Sequence, residues 1–398
     1  MTKRITLFCS SFPPETGAAP GRMYHLAIML QQKGFEVQVI AAMPNYPTGK
    51  IFSEYRRKFL HKEIVDGISV TRIWLIPTHS SNKIKRAISL LSYTFSLLTL
   101  GRKELVKSKP DLIILSSPPF VTGYIGGLIA KITKAKILLN VSDLWPKTAH
   151  NLGFIKEGKL LSFLQNLELK MYQNANAISA QSNSIKKHIE SLTPHKKIFV
   201  YRNLQPAQPT AKLDRPEGKR KIVYSGLLGI AQGVAAIVQV INFAALGTEL
   251  HLYGQGYELR QILDFIKQHP ENGVYYHGSV SAKKIPEILT QYHAMLIPLS
   301  SNIEGAVPSK IFNAYANGLP ILFCGHGEAA EIIDETQTGL TCASGDYQVL
   351  SHNIQRFISF SEEEYNSLRQ NCLQCNESQF NKSKQDTAFV DFLSELQA

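Results

Sequence analysis

The sequence predicts an α/β protein with two domains of similar size, each built on a mostly parallel sheet. A strand, a glycine-containing loop and a helix open the chain, and the same order begins again at residue 222. Between the halves, residues 205–221 hold three prolines and charges of both signs, which is typical of a linker. A chain of 398 residues is also too long for one compact core.

The first half opens with a strand at 5–9, a loop with several prolines and glycines at 10–21, and a helix at 23–33. Further short apolar runs predict strands at 37–42, 112–116, 137–141, 177–180 and 198–200. Strands that alternate with helices in this way form doubly wound sheets. We therefore expect a first domain over 1–204.

The second half repeats this alternation. Its predicted strands are 222–224, 249–253, 274–277, 294–298, 321–324 and 339–341. We expect a linker and hinge at 205–221 and a second domain over 222–385. Residues 386–398 are predicted to form a last helix, for which packing back onto the first domain is one option. Two facing sheets would place the loops at their carboxyl ends around one interdomain cleft, where ligands of such sheets bind.

Charge is distributed unequally between the halves. Residues 1–205 carry 29 Lys and Arg against 11 Asp and Glu, whereas the remainder carries 14 against 20. This asymmetry predicts an anionic partner for the first half: a membrane surface, a phosphorylated substrate or nucleic acid. No nucleic-acid-binding module is recognisable, so we expect no nucleic-acid partner.

Residues 83–107 carry the strongest membrane signal. Apolar residues fall on one helical stripe, namely Ile84, Ala87, Ile88, Leu91, Phe95 and Leu98. Basic residues flank the stripe: Lys83, Lys85, Arg86, Arg102, Lys103 and Lys107. This composition is typical of a helix that lies on an anionic bilayer. The alternative is that the stripe packs on the first sheet and the charges are simply solvated.

The chain also lacks two membrane signals. The start of the sequence has no signal-peptide pattern, and no apolar run reaches transmembrane length. Five scattered cysteines fit reduced thiols in a reducing compartment. We therefore expect a cytoplasmic protein that associates peripherally with the inner face of the cell membrane.

The segment 301–322 is predicted to bind an anion. A helix begins near Pro308 and Ser309, with Lys310 in its first turn and Glu304 shortly before it. Unpaired N–H groups and the helix dipole make such a start a phosphate site. An ordinary capped helix with a surface lysine is the alternative. P-loop, dinucleotide-fingerprint, Asp-x-Asp and metal-ligand spacings are all missing, so we expect no metal and no cofactor.

A set of short motifs covers nearly the whole chain. Each motif is weak alone, but their order and spacing together are specific. They read FPPETGAAPGRMYHLA, MPNYPTGKI, SDLWP, YSGLLGIAQG, HLYGQG, YYHG and EGAVPSKIFNAYANGLP. With these motifs the chain resembles the retaining GT-B glycosyltransferases of the bacterial family-4 group. Within that group it is similar to sugar transferases of O-antigen and capsule assembly, such as the N-acetylfucosamine transferases. The resemblance implies a GT-B architecture of two facing Rossmann-like domains.

The resemblance also implies a donor site and an acceptor site. The residues expected to bind the donor are Gly17, Gly226, Gly229, Gly254, Gly256, His277, Gly278, Pro308, Ser309 and Asn313. Lys310 would hold the diphosphate, Glu304 the transferred sugar, and Asp143 would face the sugar or orient the acceptor. Tyr46 and Arg22 are expected near the acceptor. The alternatives are plain turn glycines, an Asp143 that caps the next helix, and simple turn chemistry around Tyr46.

Three positions depart from the family's pattern. Leu227 and Gln232 stand where an Arg and a Lys commonly grip the diphosphate, and Asn313 stands where a Glu commonly binds ribose. Missing contacts of this charge-assisted type are worth roughly 1.5–3 kcal/mol each. The departures raise the demand on Lys310 as the diphosphate's cation.

The implied function is transfer of a sugar, such as an N-acetylated 6-deoxyhexosamine, from a nucleotide diphosphate sugar with retention of configuration. The expected donor is UDP-linked and the expected acceptor is an undecaprenyl-diphosphate-linked saccharide at the anionic inner leaflet. Two alternatives stay open. One is a GT-B protein that binds a sugar nucleotide as a scaffold or regulator, and the other is a GT-B sugar-nucleotide epimerase.

Overall fold

The computed structural model describes residues 3–46, 48–78, 80, 82–151, 153–209, 217–281, 284–300 and 303–397. Their contacts divide the chain into two compact units, Met1–Arg202 with Asp386–Ala398, and Asn203–Gln385. Each unit is a sheet with helices on both faces. Of the predicted linker and hinge, residues 210–216 lie outside the described residues, and their role stays a prediction.

The first unit contains an eight-stranded sheet in its described part. Its strands are β1 (Arg4–Phe8), β2 (Glu36–Ala42), β3 (Leu60–Val65), β4 (Ile68–Ile73), β5 (Leu112–Ser117), β6 (Lys136–Val141), β7 (Ala177–Ala180) and β8 (Lys197–Val200). They lie in the order β3-β4-β2-β1-β5-β6-β7-β8 and are parallel except for the β3–β4 pair. The central strands are buried on both faces, as expected for a doubly wound sheet.

Helices connect these strands. They are α1 (Ala18–Gln32), α2 (Lys83–Ser96), α3 (Arg102–Ser108), α4 (Phe120–Ala130), α5 (Lys147–Asn151), α6 (Lys159–Asn174) and α7 (Asn183–Leu192), with a π-helical turn at Leu97–Gly101 between α2 and α3. One apolar cluster joins the sheet to α2, α3, α4, α6 and α7, and another joins its opposite face to α1.

The six strands predicted for the first half are present, but β3 and β4 were not predicted. They form an antiparallel hairpin whose turn is Asp66-Gly67. Both turn residues have positive φ angles, 48° at Asp66 and 82° at Gly67, as a type I′ turn requires. Asp-Gly between two apolar runs was therefore the available signal for this hairpin.

The second unit contains a parallel sheet in the order β11-β10-β9-β12-β13-β14. Its strands are β9 (Lys221–Ser225), β10 (Glu249–Tyr253), β11 (Val274–Tyr276), β12 (Ala294–Pro298), β13 (Ile321–Cys324) and β14 (Gly339–Cys342). Its helices are α8 (Val234–Val240), α9 (Leu259–Gln268), α10 (Ile285–Leu289), α11 (Ser309–Ala316), α12 (Glu328–Glu335), α13 (Tyr347–Ser359) and α14 (Glu362–Glu377). All six strands predicted for the second half are present.

The last helix, α15 (Lys382–Gln397), completes the core of the first unit. Phe389 is fully buried, and its ring centroid lies 4.4 Å from that of Tyr201 and 5.3 Å from that of Phe199. The Tyr201 hydroxyl also donates a 2.8 Å hydrogen bond to the Asp386 carboxylate. The start of α15 is thus fixed by a polar contact and its middle by aromatic packing.

Replacing Phe389 by alanine should lower the free energy of unfolding of the first unit by about 3–5 kcal/mol, because a buried ring is removed and a cavity is left. Urea unfolding followed by circular dichroism would measure the loss. The exposed neighbour Asp391, changed to alanine, is the matched control and should alter stability by less than about 0.5 kcal/mol. Equal stability of the two variants would contradict the packing role of α15.

Candidate functional site

The loops that follow β9, β10 and β11 are hydrogen-bonded to their neighbours at the carboxyl edge of the second sheet. The N–H of Gly226 donates to the carbonyl of Tyr253 at 2.9 Å, and the N–H of Gly254 donates to that of Gly278 at 2.9 Å. Gly254 has a φ of 147°, and a Cβ at this position would lie 1.8 Å from the carbonyl oxygen of Gly226. Only glycine therefore allows these two loops to meet.

Glycine is required at position 256 for a similar structural reason. A Cβ at this position would lie 2.2 Å from the carbonyl oxygen of Leu228, whose N–H donates to the carbonyl of Gln255 at 2.8 Å. Gly254 and Gly256 are thus explained by loop packing inside the second unit. Their contact with a nucleotide stays a prediction.

Lys310 lies against the first of these loops. A Cβ on Gly226 would lie 2.5 Å from Cε and 2.7 Å from Nζ of Lys310. Nζ also lies 4.9 Å from the centroid of the Tyr224 ring, a cation–π distance. Within the described residues Lys310 forms no ion pair. The structure therefore brings together Gly226 and Lys310, which were predicted from separate motifs.

Burial lowers the pKa of Lys310 from 10.5 to about 8. The residue as a whole is half-buried, and the surroundings of its ammonium replace enough water to disfavour the charge. Near pH 7 the group is still mostly protonated. An anion placed beside it would stabilise the charged form and raise this pKa again.

Lys310 also stands in the first turn of α11, a helix whose start carries no side-chain cap. Pro308 precedes the helix and contributes no side-chain hydrogen bond to it. At the start of α8, in contrast, the Glu258 carboxylate accepts a 3.2 Å hydrogen bond from the N–H of Ala235. The start of α11 therefore presents backbone N–H groups beside the ammonium, an arrangement that suits an anion.

The other residues predicted in this segment are close in sequence to that helix start. Glu304 is exposed in a turn before α11, and Ser309 is the first residue of the helix. Asn313 is half-buried one turn further, and its carbonyl accepts a 2.7 Å hydrogen bond from the Asn317 side chain. Residues 301 and 302, at the start of the predicted anion-binding segment, lie outside the described residues.

The loop from Gly226 to Gly233 lacks basic side chains. Leu227 is 50% exposed, and its carbonyl accepts a hydrogen bond from the Tyr224 hydroxyl. Gln232 donates from its N–H to the carbonyl of Gly229 at 2.9 Å, and its Oε1 is buried with no hydrogen-bond partner among the described groups. In place of a cation the loop offers an apolar side chain and an amide.

His277 follows β11 and is exposed at the same edge. Its backbone N–H donates to the carbonyl of Leu252 at 2.9 Å. Its ring stacks on that of Tyr253, with centroids 4.8 Å apart. Gly278 comes next and accepts the bond from Gly254 already described. The predicted donor-binding residues of the second unit, apart from Asn313, thus occupy the loops and the helix start at one edge of its sheet.

In the first unit, Gly17 and Tyr46 are neighbours at the carboxyl edge. Gly17 has a φ of 129° and precedes α1, and a Cβ there would lie 3.7 Å from Cε1 of Tyr46. The loop of Tyr46 is held by Glu15, whose Oε1 accepts hydrogen bonds of 2.9 Å from the N–H groups of Asn45 and Tyr46. Glu15 lies in the motif that begins at Phe12, but the sequence predicted no role for it.

The second oxygen of Glu15 is buried and has no hydrogen-bond partner among the described residues. Burial raises the pKa of this carboxyl group, while the hydrogen bonds from the Asn45 and Tyr46 N–H groups oppose the shift. Glu15 therefore joins the loop after β1 to the loop after β2 at an electrostatic cost.

Arg22 and Asp143 are also brought together in the first unit. Arg22 donates a 3.1 Å hydrogen bond to the Ser142 hydroxyl, and Asp143 accepts a 2.6 Å bond from the Thr148 hydroxyl in α5. Burial lowers the pKa of Arg22 and raises that of Asp143, and the opposite charge of each partly offsets the shift of the other. Asp143 thus contacts a side chain of the next helix and lies near Arg22, and whether it faces a sugar or an acceptor stays a prediction.

The apolar stripe on α2 faces away from the first sheet. Its exposed fractions are 71% at Ile84, 66% at Leu91 and 63% at Phe95. The side of the helix that packs on the sheet carries Tyr93, and Leu97 in the following turn is fully buried. The alternative that the stripe packs on the sheet is therefore wrong.

The described residues lack two kinds of feature. They contain no helix with the length and apolar character needed to cross a bilayer. They also contain no group of three or more His, Cys, Asp or Glu side chains placed to hold a metal ion.

Comparisons with known proteins agree with this architecture. Residues 207–374 match the family described as Glycosyl transferases group 1. Over 338 residues, 79% of this chain and 81% of the relative, the sequence is 24% identical to WcaI of Escherichia coli strain K12, which is named for a glycosyl transferase role in colanic acid biosynthesis.

Solved structures extend the similarity to both units. Sucrose-phosphate synthase from Thermosynechococcus elongatus aligns over 99% of both chains, with a TM-score of 0.74 and 14% identity. Anabaena HepE in complex with UDP aligns over 98% of this chain and 100% of its own, with a TM-score of 0.67 and 12% identity. The chain therefore has the GT-B fold, and residues 207–374 of its second unit match a group 1 glycosyl transferase domain.

Proposed function

We propose that this enzyme transfers a sugar from a UDP-linked donor to a lipid-linked saccharide during assembly of a surface polysaccharide, with retention of anomeric configuration. The observation that carries the proposal is the position of Lys310. Its ammonium lies against Gly226 at an uncapped helix start, on the edge of the sheet where ligands of such folds bind. This arrangement suits a diphosphate.

The relatives support the choice of donor and product. HepE was solved with UDP, and WcaI is named for colanic acid biosynthesis. The first supports a nucleotide sugar as partner, and the second supports a saccharide product. The proposed sugar, an N-acetylated 6-deoxyhexosamine, and the proposed acceptor, an undecaprenyl-diphosphate-linked saccharide, rest on the resemblance of the sequence motifs.

The proposed reaction exchanges one bond to the anomeric carbon for another. The bond from this carbon to the diphosphate oxygen breaks, and a bond to the acceptor oxygen forms on the same face of the sugar. The proton of the acceptor hydroxyl goes to the leaving diphosphate. Lys310 and the N–H groups of α11 stabilise the charge that develops on the diphosphate, which is the main catalytic contribution we assign to the protein. Glu304 positions the donor sugar.

The surface of α2 supports a membrane-bound acceptor. Its exposed apolar stripe would enter the boundary between headgroups and acyl chains, and the basic residues near both ends of 83–107 would contact anionic phosphates. Residues 1–205 also contain 29 basic residues against 11 acidic ones, which favours binding to an anionic membrane. We therefore place the protein at the cytoplasmic face of the membrane.

One observation favours a second candidate function, which is donor binding without transfer. Leu227 and Gln232 leave the loop after β9 without a cation, so the leaving diphosphate would receive less stabilisation. Incubation of the purified protein with a panel of nucleotide sugars separates the two candidates. Slow hydrolysis or transfer of any donor excludes a purely binding role.

Removal of the Lys310 charge should weaken nucleotide binding. Lys310→Ala is expected to lower UDP affinity about 10- to 100-fold, because a charge-assisted contact is lost, and to lower the transfer rate about 100- to 1000-fold. Isothermal titration calorimetry and a transfer assay would measure the two effects. Lys267→Ala, at an exposed lysine of the same unit, is the control. Near-normal transfer by Lys310→Ala would refute the assigned role.

The lowered pKa of Lys310 predicts a pH dependence that an arginine would remove. Below a pH of about 8 the ammonium is already present, so affinity is full. As the pH rises through about 8, binding must take up a proton and the affinity of the wild type falls, by at most tenfold per pH unit. Titrations from pH 7 to 9 with Lys310→Arg alongside correct for ionisation of the nucleotide. Parallel curves for the two proteins would contradict this assignment.

Glu304→Gln should separate sugar contact from nucleotide contact. The amide keeps the size of the side chain but loses its charge, so we expect a transfer rate about 10- to 100-fold lower with UDP affinity within twofold of the wild type. Glu287→Gln, an exposed change in α10, is the control. A large loss of UDP affinity with an unchanged rate at saturation would place Glu304 on the nucleotide instead.

Charges on the stripe should release the protein from lipid. Leu91→Asp with Phe95→Asp is expected to abolish sedimentation with vesicles that contain anionic phospholipid, because two carboxylates would enter the apolar boundary. Leu263→Asp, at an exposed apolar residue of the second unit, should leave sedimentation unchanged. Circular dichroism checks folding. If the double variant still sediments like the wild type, α2 is not the membrane contact.

A further inference from the structure

We infer that His277 recognises the base of the donor nucleotide as a hydrogen-bond acceptor, and that Glu249 fixes His277 in this role through His251. The inference rests on the proposed function, because it takes the diphosphate site at Gly226 and Lys310 as given. It adds His277 as a determinant of base specificity, and it adds Glu249 and His251 as the residues of β10 that position His277.

The three side chains form one hydrogen-bonded chain along neighbouring strands. Oε2 of Glu249 lies 3.2 Å from Nε2 of His251, and Nδ1 of His251 lies 2.8 Å from Nε2 of His277. The rings of Tyr275 and Tyr292 pack on His251, with centroids 5.1 and 5.0 Å away. His251 is 9% exposed, whereas His277 is exposed at the end of the chain of bonds.

The chemistry of the carboxylate decides which nitrogen carries each proton. Lys219 and Lys221 lie 3.5 and 3.7 Å from the Glu249 oxygens. Burial opposes ionisation of Glu249, but the bond from His251 and these two charges keep its pKa below the usual value. An ionised carboxylate only accepts, so Nε2 of His251 must donate to it. Neutral His251 then accepts at Nδ1, and the donor of that bond is Nε2–H of His277.

The remaining nitrogen of His277 is thereby fixed as an acceptor. A neutral imidazole carries one N–H, and in His277 that N–H is directed to His251, so Nδ1 keeps its lone pair. Burial lowers the pKa of both histidines, which favours their neutral forms near pH 7. The exposed ring therefore presents one defined hydrogen-bonding character, set from inside the protein.

The position of His277 suits a nucleobase. It follows β11, and the sheet order β11-β10-β9 places it two strand spacings, about 10 Å, from the loop that contacts Lys310. The hydrogen bond from Gly254 to Gly278 connects the loops that lie between His277 and Gly226. An extended nucleoside diphosphate can span this separation with its diphosphate at Gly226 and its base at His277.

An acceptor at Nδ1 selects bases that carry a ring N–H. Uracil and thymine offer N3–H, and guanine offers N1–H. Cytosine and adenine have a lone pair at the corresponding ring nitrogen, which would face the lone pair of His277. We therefore expect UDP to bind better than CDP, and GDP better than ADP, with His277 responsible for roughly a 3- to 10-fold part of each ratio.

Calorimetric titration of these four nucleotides at pH 7.5 tests the inference. His277→Ala and His251→Phe should reduce the UDP to CDP and GDP to ADP affinity ratios by roughly 3- to 10-fold. The phenylalanine fills the volume of the imidazole without a nitrogen, and a thermal melt checks that both variants fold. His269→Ala, at a histidine that lies near Glu271 in the same unit, is the matched control and should keep the wild-type ratios.

The outcomes separate the inference from the proposed function. Unchanged ratios in His277→Ala, with nucleotides still bound, would overturn the inference and leave the proposed function intact. Failure of the wild type to bind any of the four nucleotides would overturn both.

A spectroscopic measurement tests the role of Glu249 without a ligand. Nitrogen-15 chemical shifts should show His277 protonated at Nε2 in the wild type. Glu249→Gln can donate as well as accept, so it should convert His277 to a mixture of the two tautomers. A single, unchanged tautomer in Glu249→Gln would overturn the positioning role of Glu249.

Discussion

The carbonyl oxygen of Gly226 occupies the space that a Cβ on residue 254 would need, only 1.8 Å from that atom's ideal position. The arrangement of the candidate donor site depends on this contact, because it holds the loops after β9 and β10 together. Gly226 is constrained in turn, since Lys310 fills the space where its own side chain would lie. The absence of side chains at Gly226 and Gly254 thus allows the Lys310 ammonium to lie against the loop after β9. The hydrogen bond from Gly254 to Gly278 connects the loop after β10 to the loop that contains His277.

Both units hold charges that burial disfavours. Lys310 has no ion-pair partner within the described part of the chain, and its surroundings lower its pKa to about 8. Arg22 and Asp143 lie near each other, so each reduces the cost of burying the other. A buried charge that already has an opposite charge nearby is stabilised less by a bound ligand than a buried charge without one. This difference is why the second unit's cation, and not the first unit's pair, carries the assignment of the diphosphate site.

Much of the fold could be predicted from the sequence because apolar runs, glycine loops and their order are local signals. The β3–β4 hairpin was missed although its Asp66-Gly67 turn is such a signal. The chain of bonds from Glu249 to His277 could not be predicted, because it depends on strand register across 28 residues of sequence. Likewise, glycine at 254 is typical of a turn in sequence, and only the structure shows which carbonyl excludes a side chain there.

The return of α15 to the first unit has a consequence for synthesis. Phe389 and Leu393 belong to the core between the first sheet and α1, yet the ribosome adds them only after the whole second unit. The second unit, which is contiguous from Asn203 to Gln385, can close its core earlier. The first unit is therefore completed after the second. Until then its apolar face is unprotected, so a fragment that stops at residue 202 would keep a permanently exposed surface.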